Sequence, residues 1–476
     1  MALKVQEQSP EVAAMAAEWP IVEALLGGTS AMRAAGQTYL PKWPNEEADS
    51  HKTRVNTATL FPALSRTISV MSGKPFAKQL TLADDVPARI KTWCDDADQQ
   101  GNNLHSFSVD VMFEALGYGL CGVLVDYPTV GDSARTLADE RSLGVRPYVV
   151  LVRHNQILGW QYERKGGVTR LTQLRILESK EVQDGEFGVA VEQRVRVLTP
   201  GAWTVYMPPA KANDDWVIES TGTTTLQVIP FVPFYGKKLG FMCGKSPLLD
   251  LAYLNVKHWQ SQSDQDTILH VARVPILAMI GAEEGSALTV GASSAVKLPL
   301  NADLKFVEHT GAAIDAGAKS LEALESQMIT TGAELLVIKP GEQKSATQSN
   351  NEAEANKSDL QRIVESFEDS LDQVLQLMGD WVGEKQAGHA SLFKDFGAGS
   401  LSDASAQLIV SMQQAGLITK ETALREMQRR GMLAADIDPE EELDAVKEEG
   451  PPLGTLREDD IDPMTGQKRK PEPAAA

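Results

Sequence analysis

The clearest pattern in this sequence is an apolar stripe in its C-terminal half, where large apolar residues are separated alternately by four and three positions. This spacing keeps one face of an α-helix apolar over several turns and predicts a long amphipathic helix. Two interpretations fit the stripe, a core helix within one folded chain and a contact between subunits. The stripe consists of Leu360, Val364, Phe367, Leu371, Val374, Met378 and Trp381.

Upstream, the chain changes from helical to strand-like patterning. Apolar residues recur at helical spacing in residues 11–26, 55–71 and 104–117, which predicts three helices. Between Pro147 and Tyr206, short alternating runs are separated by turn residues such as Gly166-Gly167 and Pro200-Gly201. That arrangement is typical of antiparallel strands.

A long helix is predicted over residues 246–274, because Ser246-Pro247 suits an N-cap and a first helical position and Pro275 ends the helix. Its ends are apolar, whereas residues 260–266 are all polar. A core helix of one chain would not present seven consecutive polar residues. We therefore expect a helix that is packed at its ends and lines a water-filled space at its centre.

The segments after this helix alternate in character. Residues 276–311 are Gly-rich and strand-like, residues 312–336 return to a helical pattern, and residues 339–351 form a polar stretch that predicts a loop. Short helices are expected over residues 403–415, 420–430 and 440–449, and Thr419 is predicted to cap the second of them. Together these patterns predict an α+β fold that is predominantly helical.

The chain is acidic, with 45 basic and 65 acidic residues among 476 and a formal net charge of −20. Tight DNA binding requires Lys and Arg placed on phosphates, so this chain is not expected to grip DNA. An acidic wall would still suit DNA that slides past. The simpler interpretation is that net acidity keeps the protein in solution.

Cysteine and histidine usage argues against several kinds of site. Cys94, Cys121 and Cys243 are far apart and form no CxxC pair, which indicates a reducing compartment without a disulfide framework. The seven histidines lack metal-ligand spacing, so no metal is expected. No apolar run is long enough for a transmembrane helix, and the first residues lack the features of a secretory signal.

Residues 240–246, Gly-Phe-Met-Cys-Gly-Lys-Ser, are similar to a phosphate-binding loop. The motif requires four residues between its glycines, here there are three, and Pro247 follows at once. We interpret the segment as a turn into the long helix. No GxSxG, HExxH or DxDxDG motif is present, so we predict no catalytic residues, no cofactor and no enzymatic activity.

The order of these elements, more than any single motif, resembles the portal proteins of tailed bacteriophages, within an uncharacterised-domain group of that family. The resemblance covers most of the chain. The residues that carry it are Met32-Arg33-Ala-Ala-Gly36, Tyr39-Leu-Pro41, Arg54, Leu64, Thr67-Ile68, Gly73, Phe76, Tyr118-Gly119, residues 123–126 and residues 414–423.

This resemblance implies a ring of about twelve identical subunits around a channel for double-stranded DNA, with regions called wing, stem, clip and crown. The wing would comprise residues 1–245 and, as a long helix with a return segment, 352–400. The stem helices would be 246–275 and 312–338, joined by the clip at 276–311. A tunnel loop at 339–351, crown helices at 401–449 and a disordered tail at 450–476 complete the chain.

The resemblance also implies which side chains face DNA. On the tunnel loop they are Lys339, Lys344, Gln348 and Asn350. On the stem helices Lys257 and Lys319 are weaker candidates, and an ordinary surface role fits that pair at least as well.

A portal lies at one capsid vertex of the virion after assembly in the host cytoplasm, and it serves genome packaging and ejection. The implied partners are double-stranded DNA, further copies of the chain, the large terminase subunit, the head–tail adaptor, and the major capsid and scaffolding proteins, with no membrane. Two alternatives stay open. One is a nucleotide-driven DNA-packaging enzyme, and the other is a different virion protein such as a capsid or scaffold subunit.

Overall fold

The computed structural model of the chain describes residues 3–128, 144–209, 211, 214–273, 276–280, 303–307, 312–336, 357–394, 396, 411, 413, 419–429, 438 and 442–445. The chain divides into two compact units, Met1–Lys394 and Asp395–Ala476. The first unit contains helices and separate antiparallel sheets, with more helix than strand, so the fold class is α+β as expected.

Two of the predicted N-terminal helices are each split in two. Pro20 lies in the first turn of α2, and Pro62 directly precedes α5. Proline lacks an N–H and clashes with the preceding turn, so a helix can begin at proline but rarely continues through it. The helices are α1 (Pro10–Ala16), α2 (Trp19–Leu26), α3 (Gly28–Ala35), α4 (Ala48–Thr57), α5 (Ala63–Gly73), α6 (Ala88–Cys94) and α7 (Leu104–Tyr118).

Antiparallel strands follow α7, as the alternating pattern predicts. Their bounds are β1 (Thr81–Leu82), β2 (Leu120–Asp126), β3 (Tyr148–Val152), β4 (Ile157–Lys165), β5 (Val168–Asp184), β6 (Gly188–Thr199), β7 (Ala202–Met207), β8 (Val217–Thr223) and β9 (Phe231–Tyr235). Three strands pair in the order β3-β2-β9, and five pair in the order β4-β5-β6-β7-β8. The turns predicted at residues 166–167 and 200–201 are confirmed, since the flanking strands pair directly across them.

The remaining elements complete the first unit and the described part of the second. They are β10 (Lys237–Gly240), β11 (Cys243–Lys245), α8 (Leu249–Ala272), β12 (Ile276–Ile280), β13 (Asp303–Val307), α9 (Ala312–Ala333), α10 (Asp359–Trp381), β14 (Ala390–Ser391) and α11 (Lys420–Arg429). The cap predicted for α11 is confirmed, because the Thr419 hydroxyl accepts from the Thr422 N–H at 3.1 Å. The tail expected from residue 450 lies outside the described residues, as does nearly all of the helix expected over 403–415.

The two larger sheets share one hydrophobic core with α1 and α2. Removal of these side chains from water contributes about 25 cal/mol per Å² of apolar surface, which makes this core a main source of stability. The buried members are Val12, Trp19, Leu120, Leu124, Val152, Ile157, Leu174, Ile176, Leu198, Ile229, Phe231 and Met242.

One arginine holds the N-terminal segment against the five-stranded sheet. Arg175 on β5 is largely buried, and its guanidinium donates to the carbonyls of Lys4, Val5 and Glu7 at 2.8–2.9 Å. Burial lowers the pKa of Arg175 below its usual value. The three carbonyls replace the water that this cation would otherwise keep, so residues 3–9 are fixed as a strap across the sheet.

A buried polar cluster ties α7 to the end of β3. His154 stacks on the Tyr118 ring at a centroid distance of 3.5 Å and meets the Trp19 ring edge-on. Glu114, which is 3% exposed, lies 2.5 Å from His154 Nδ1, and Glu23 lies 3.4 Å from Nε2. Both ring nitrogens are therefore paired, as a buried histidine requires.

The long stripe predicted in the C-terminal half forms the buried face of α10. Leu360 through Met378 of that stripe are buried, and the Phe367 ring packs against Phe234 of β9 at 4.7 Å. Trp381 is partly exposed and donates its indole N–H to the Val125 carbonyl. Ser358 and Gln361 form a capping box at the first turn. The core interpretation is thus confirmed for this face.

The segment after α10 is pinned back onto that helix. Asp372 accepts from the Ala390 N–H and lies 2.7 Å from His389 Nδ1, while Asp85 lies 3.7 Å from His389 Nε2. The hydrogen bond to Asp372, its negative charge and that of Asp85 together raise the pKa of His389 above its ordinary value of 6.5. The His389–Asp372 pair thus holds the segment of β14 in place, and β14 is itself hydrogen-bonded to β1.

We expect NMR titration of the His389 ring to give a pKa above 6.5, and Asp372→Asn to return it towards that value. Because the folded pKa exceeds the unfolded one, the pair stabilises the fold fully below pH 6.5. That contribution is lost as the pH rises through the raised pKa. Asp85→Asn serves as the comparison. It should lower the pKa of His389 by less, because Asp85 lies farther from the ring than Asp372 does. An unchanged His389 titration in Asp372→Asn would contradict the contact.

Candidate functional site

The first unit contains a hairpin of two long helices, α8 and α9, with β12 and β13 between them in the chain. At 1.5 Å per residue, the 24 residues of α8 span about 36 Å and the 22 residues of α9 about 33 Å. His258 Nε2 lies 3.3 Å from a Glu325 carboxylate oxygen, and the Gln265 amide donates to the Ile314 carbonyl at 3.0 Å. These contacts show that the helices run antiparallel and side by side.

The first half of α8 is anchored in the helical body. Asn255 is fully buried, accepts from the Leu64 N–H at 3.0 Å and donates to the Phe61 carbonyl at 2.8 Å. Trp259, one turn later, has no exposed surface. On another face, Gln260 donates to the Tyr39 carbonyl at 3.0 Å. The helix is thus held by specific hydrogen bonds as well as by apolar packing.

The expectation that residues 260–266 face open water is wrong for several of them. Ser263 and Gln265 are 3% and 7% exposed, and Asp264 Oδ1 lies 3.5 Å from Arg54. Conversely, Ile268 at the apolar far end, which was expected to be packed, is 36% exposed. Gln260 and Gln265 donate to backbone carbonyls and Asp264 lies beside a guanidinium, whereas the buried Ser263 hydroxyl has no hydrogen-bond partner within the described residues.

Arg54 is the centre of the charged contacts on this side of α8. It is 6% exposed, donates to both carboxylate oxygens of Glu46 at 2.9 Å, and lies 4.1 Å from the centre of the Trp43 ring. These hydrogen bonds lower the pKa of Glu46 to about 2. Burial raises the pKa of Asp264, although Arg54 opposes that shift.

The far half of the hairpin, taken as residues 266–272 of α8 and 314–320 of α9, has no buried side chain among those described. Among residues 314–320 of α9 none is buried, whereas Leu321, Leu324 and Met328 form a buried stripe nearer the body. On α8, none of the described side chains after Gln265 is buried. Beyond them, β12 and β13 pair with each other from Ile276–Val307 to Ile280–Asp303, and within the described strands with nothing else.

The two candidate stem lysines do not lie together. Lys257 and Lys319 are both exposed, one on each helix. Gly317 lies against Gln265, and Glu325 against His258, so Lys319 stands about two turns farther from the body than Lys257. At 1.5 Å per residue this is about 10 Å along the hairpin.

The candidate tunnel-loop residues Lys339, Lys344, Gln348 and Asn350 lie outside the described residues. The chain on either side of them borders one cleft of about 550 Å³. This cleft also contains Lys237 and Lys238, which the sequence reasoning did not single out, because one basic pair in a polar turn gives no signal by itself. The other lining residues that matter here are Glu334, Leu335, Asp359 and Arg362.

The segment that is similar to a phosphate-binding loop has a different structure. Residues 237–245 form the antiparallel hairpin of β10 and β11, and the Ser246 hydroxyl donates to the Leu116 carbonyl at 2.7 Å. A Cβ on Gly244 would lie 2.2 Å from the Gly119 carbonyl oxygen. Gly244 is therefore required by close backbone packing, and the interpretation as a turn before the helix is confirmed.

No group of three His, Cys, Asp or Glu side chains that could hold a metal ion occurs among the residues with described positions. In the same part of the chain, no helix is both long and apolar enough to cross a membrane. The described thiols of Cys94 and Cys121 are buried, and burial raises the pKa of both.

Residues 247–382 match the family described as a domain of unknown function (DUF4055), a stretch that runs from the start of α8 to the end of α10. No curated protein sequence matches the chain. Among solved structures, similarity is found to a chain in the virion of a native gene transfer agent (GTA) particle, with 12% identity, a TM-score of 0.40 and coverage of 85% of this chain and 99% of that one.

Two further similar chains come from the neck of the empty GTA particle, computed with C6 symmetry, and the neck of the native particle, computed with C12 symmetry. Both are 13% identical, with TM-scores of 0.41 and 0.40. They cover 84% of this chain and 98% and 99% of their own.

Gly244→Ala should destabilise the protein by about 1–3 kcal/mol, because the new methyl group meets a backbone carbonyl that cannot move aside. Gly240→Ala is the matched control, since its Cβ would meet only Cys243 Cβ at 3.9 Å. Urea unfolding of both variants measures the difference. Equal losses of stability would contradict the close backbone contact at Gly244.

Proposed function

We propose that the chain is a phage portal protein, one subunit of a ring through which double-stranded DNA is packaged and ejected. The observation that carries the proposal is the exposed far half of the α8–α9 hairpin, which ends in its own two-stranded sheet. In this proposal α8 and α9 are the stem, and β12 and β13 belong to the clip that meets the terminase and the head–tail adaptor.

An isolated subunit leaves much of this hairpin uncovered. Tyr253 on α8 and Ile329 on α9 are 55% and 69% exposed, and they lie at the same level of the antiparallel pair. Large side chains exposed together on helix faces are typical of contact surfaces. Rotation of one subunit onto the next would cover such faces by a heterologous contact that closes into a ring.

The acidity of the chain fits passage better than attachment. With a net charge of −20, the ring would repel phosphate over most of its surface, so DNA could move without strong binding. The proposed contacts with DNA phosphates are made by the tunnel loop 339–351, through Lys339 and Lys344 and, with them, Gln348 and Asn350. Lys257 and Lys319 are proposed as secondary contacts on the stem.

The proposal describes a structural, non-enzymatic virion protein. The packaging-enzyme alternative loses its main support, because the segment that is similar to a phosphate-binding loop folds as a β-hairpin. The capsid or scaffold alternative predicts a different particle. A capsid or scaffold protein assembles into a closed shell, whereas a portal assembles into a ring with a central hole.

Electron microscopy of the purified full-length chain should show a closed ring with a central hole. Twelve copies of 51.6 kDa give about 620 kDa, which mass photometry can verify. An ATP-hydrolysis assay on the same sample should show no activity above background. The proposal would be overturned by closed shells in the images or by ATP hydrolysis that DNA stimulates. It would also be overturned if the chain stayed monomeric in an assembly reaction that contains the scaffolding protein.

The double variant Lys339→Gln/Lys344→Gln should form the same ring but bind duplex DNA with a weaker salt dependence. Removing one lysine–phosphate pair reduces the steepness of log affinity against log salt by about 0.9. The pair Lys257→Gln/Lys319→Gln provides the comparison and should change the slope less. If only the Lys257→Gln/Lys319→Gln variant changed the salt dependence of DNA binding, the DNA contacts would be assigned to the stem helices and not to the tunnel loop.

A further inference from the structure

The five-stranded sheet carries a two-stranded ribbon that extends beyond its neighbours. β5 and β6 pair as far as Asp184 and Gly188, but β7 pairs with β6 only from Val195 onwards, and β4 pairs with β5 only up to Ile176. We call residues 177–194 the β5–β6 ribbon. Within the described residues, the outer edge of β6 along this ribbon has no strand paired with it.

One face of the ribbon exposes two valines of β6 next to polar side chains of β5, because Val189 lies opposite Gln183 and Val191 opposite Glu181. Side chains alternate between the two faces of a strand, so Val189 and Val191 share the face on which Val195 is fully buried farther down. Val189 and Val191 are 63% and 62% exposed, and Phe187 at the tip is 92% exposed. A two-stranded ribbon is marginally stable alone in water, and exposed apolar side chains of this size indicate a binding surface.

A groove of about 420 Å³ runs beside the unpaired edge. Residues 191–194 of β6 form one wall, and Met207, Pro208 and Trp216 form the other. An unpaired edge next to a groove with an apolar wall is the geometry by which proteins accept an extended segment as an additional strand.

The charges of the ribbon select the kind of segment that fits. It carries five acidic and two basic side chains, and both basic ones are already paired: Lys180 lies 3.2 Å from Glu219, and Arg194 contacts Glu192 and Glu219. Glu192 is therefore neutralised by Arg194, and the excess negative charge lies on Glu181, Asp184 and Glu186, which make no ion pair within the described contacts. A second copy of the same ribbon would bring like charge to this edge and would be repelled there.

We propose that the outer edge of β6 accepts an extended, basic segment of a different protein as an added β-strand. Its apolar side chains would lie next to Val189 and Val191, and its long basic side chains would reach the carboxylates of Glu181, Asp184 and Glu186. The backbone of the ribbon supplies hydrogen bonds, the exposed valines supply affinity, and the unpaired carboxylates supply selectivity. This proposal does not depend on whether the protein forms a ring.

The test uses the full-length chain and a fluorescein-labelled, eight-residue peptide of alternating lysine and valine with blocked ends. Fluorescence anisotropy should detect binding, and a peptide of alternating glutamate and valine should bind at least about tenfold more weakly. Val191→Glu should weaken binding of the lysine peptide by about tenfold or more. Val168→Glu is the matched control, because Val168 is 53% exposed on β5 outside the ribbon, and it should bind normally.

Backbone pairing is tested with two methylated peptides, one N-methylated at every valine and the other at every lysine. Successive N–H groups of a strand point to opposite edges, so one of the two should lose binding. Binding that survives in both peptides would exclude strand addition. Equal binding of the glutamate peptide, or no binding of the lysine peptide up to about 1 mM, would overturn the proposed partner.

Discussion

The buried side chain of Asn255 fixes how the long hairpin stands in the body of the protein. Its carbonyl and amide groups each pair with the backbone at the start of α5, through Leu64 and Phe61. Leaving such a buried group unpaired costs about 1–3 kcal/mol, so α8 cannot slide or rotate against α5 without breaking both bonds. The position of α9, which packs along α8 through Glu325 and Ile314, follows from the same constraint.

The helix α8 combines two environments that are usually found on different helices. Near the body, Ser263 and Gln265 are buried, Gln260 and Gln265 donate to backbone carbonyls, and Arg54 lies beside Asp264. Farther out the helix is apolar again, yet Ile268 is 36% exposed and no described side chain after Gln265 is buried. The helix therefore begins inside a core and ends in side chains that the described part of this chain leaves open.

Net charge separates the roles of the two exposed regions. Copies of a chain with charge −20 repel one another, so the proposed ring would have to close through shape and through apolar contacts such as those that Tyr253 and Ile329 could make. At the β5–β6 ribbon, the unpaired carboxylates would instead favour a basic partner over a second acidic ribbon. In the two proposals, self-assembly and partner binding therefore use different surfaces of one acidic protein.

The sequence by itself determined the elements whose cause is local: the stripe of α10 from its spacing, the Thr419 cap of α11 from residue type, and the turns at 166–167 and 200–201 from glycine. It also excluded a phosphate loop by a missing residue. Only the tertiary structure decided which polar residues of α8 are buried, because burial depends on partners that are distant in sequence, such as the Ile314 carbonyl that accepts from the buried Gln265. The need for glycine at 244 and the unpaired edge of β6 were likewise hidden, since each is a relation between distant segments of backbone that no local pattern records.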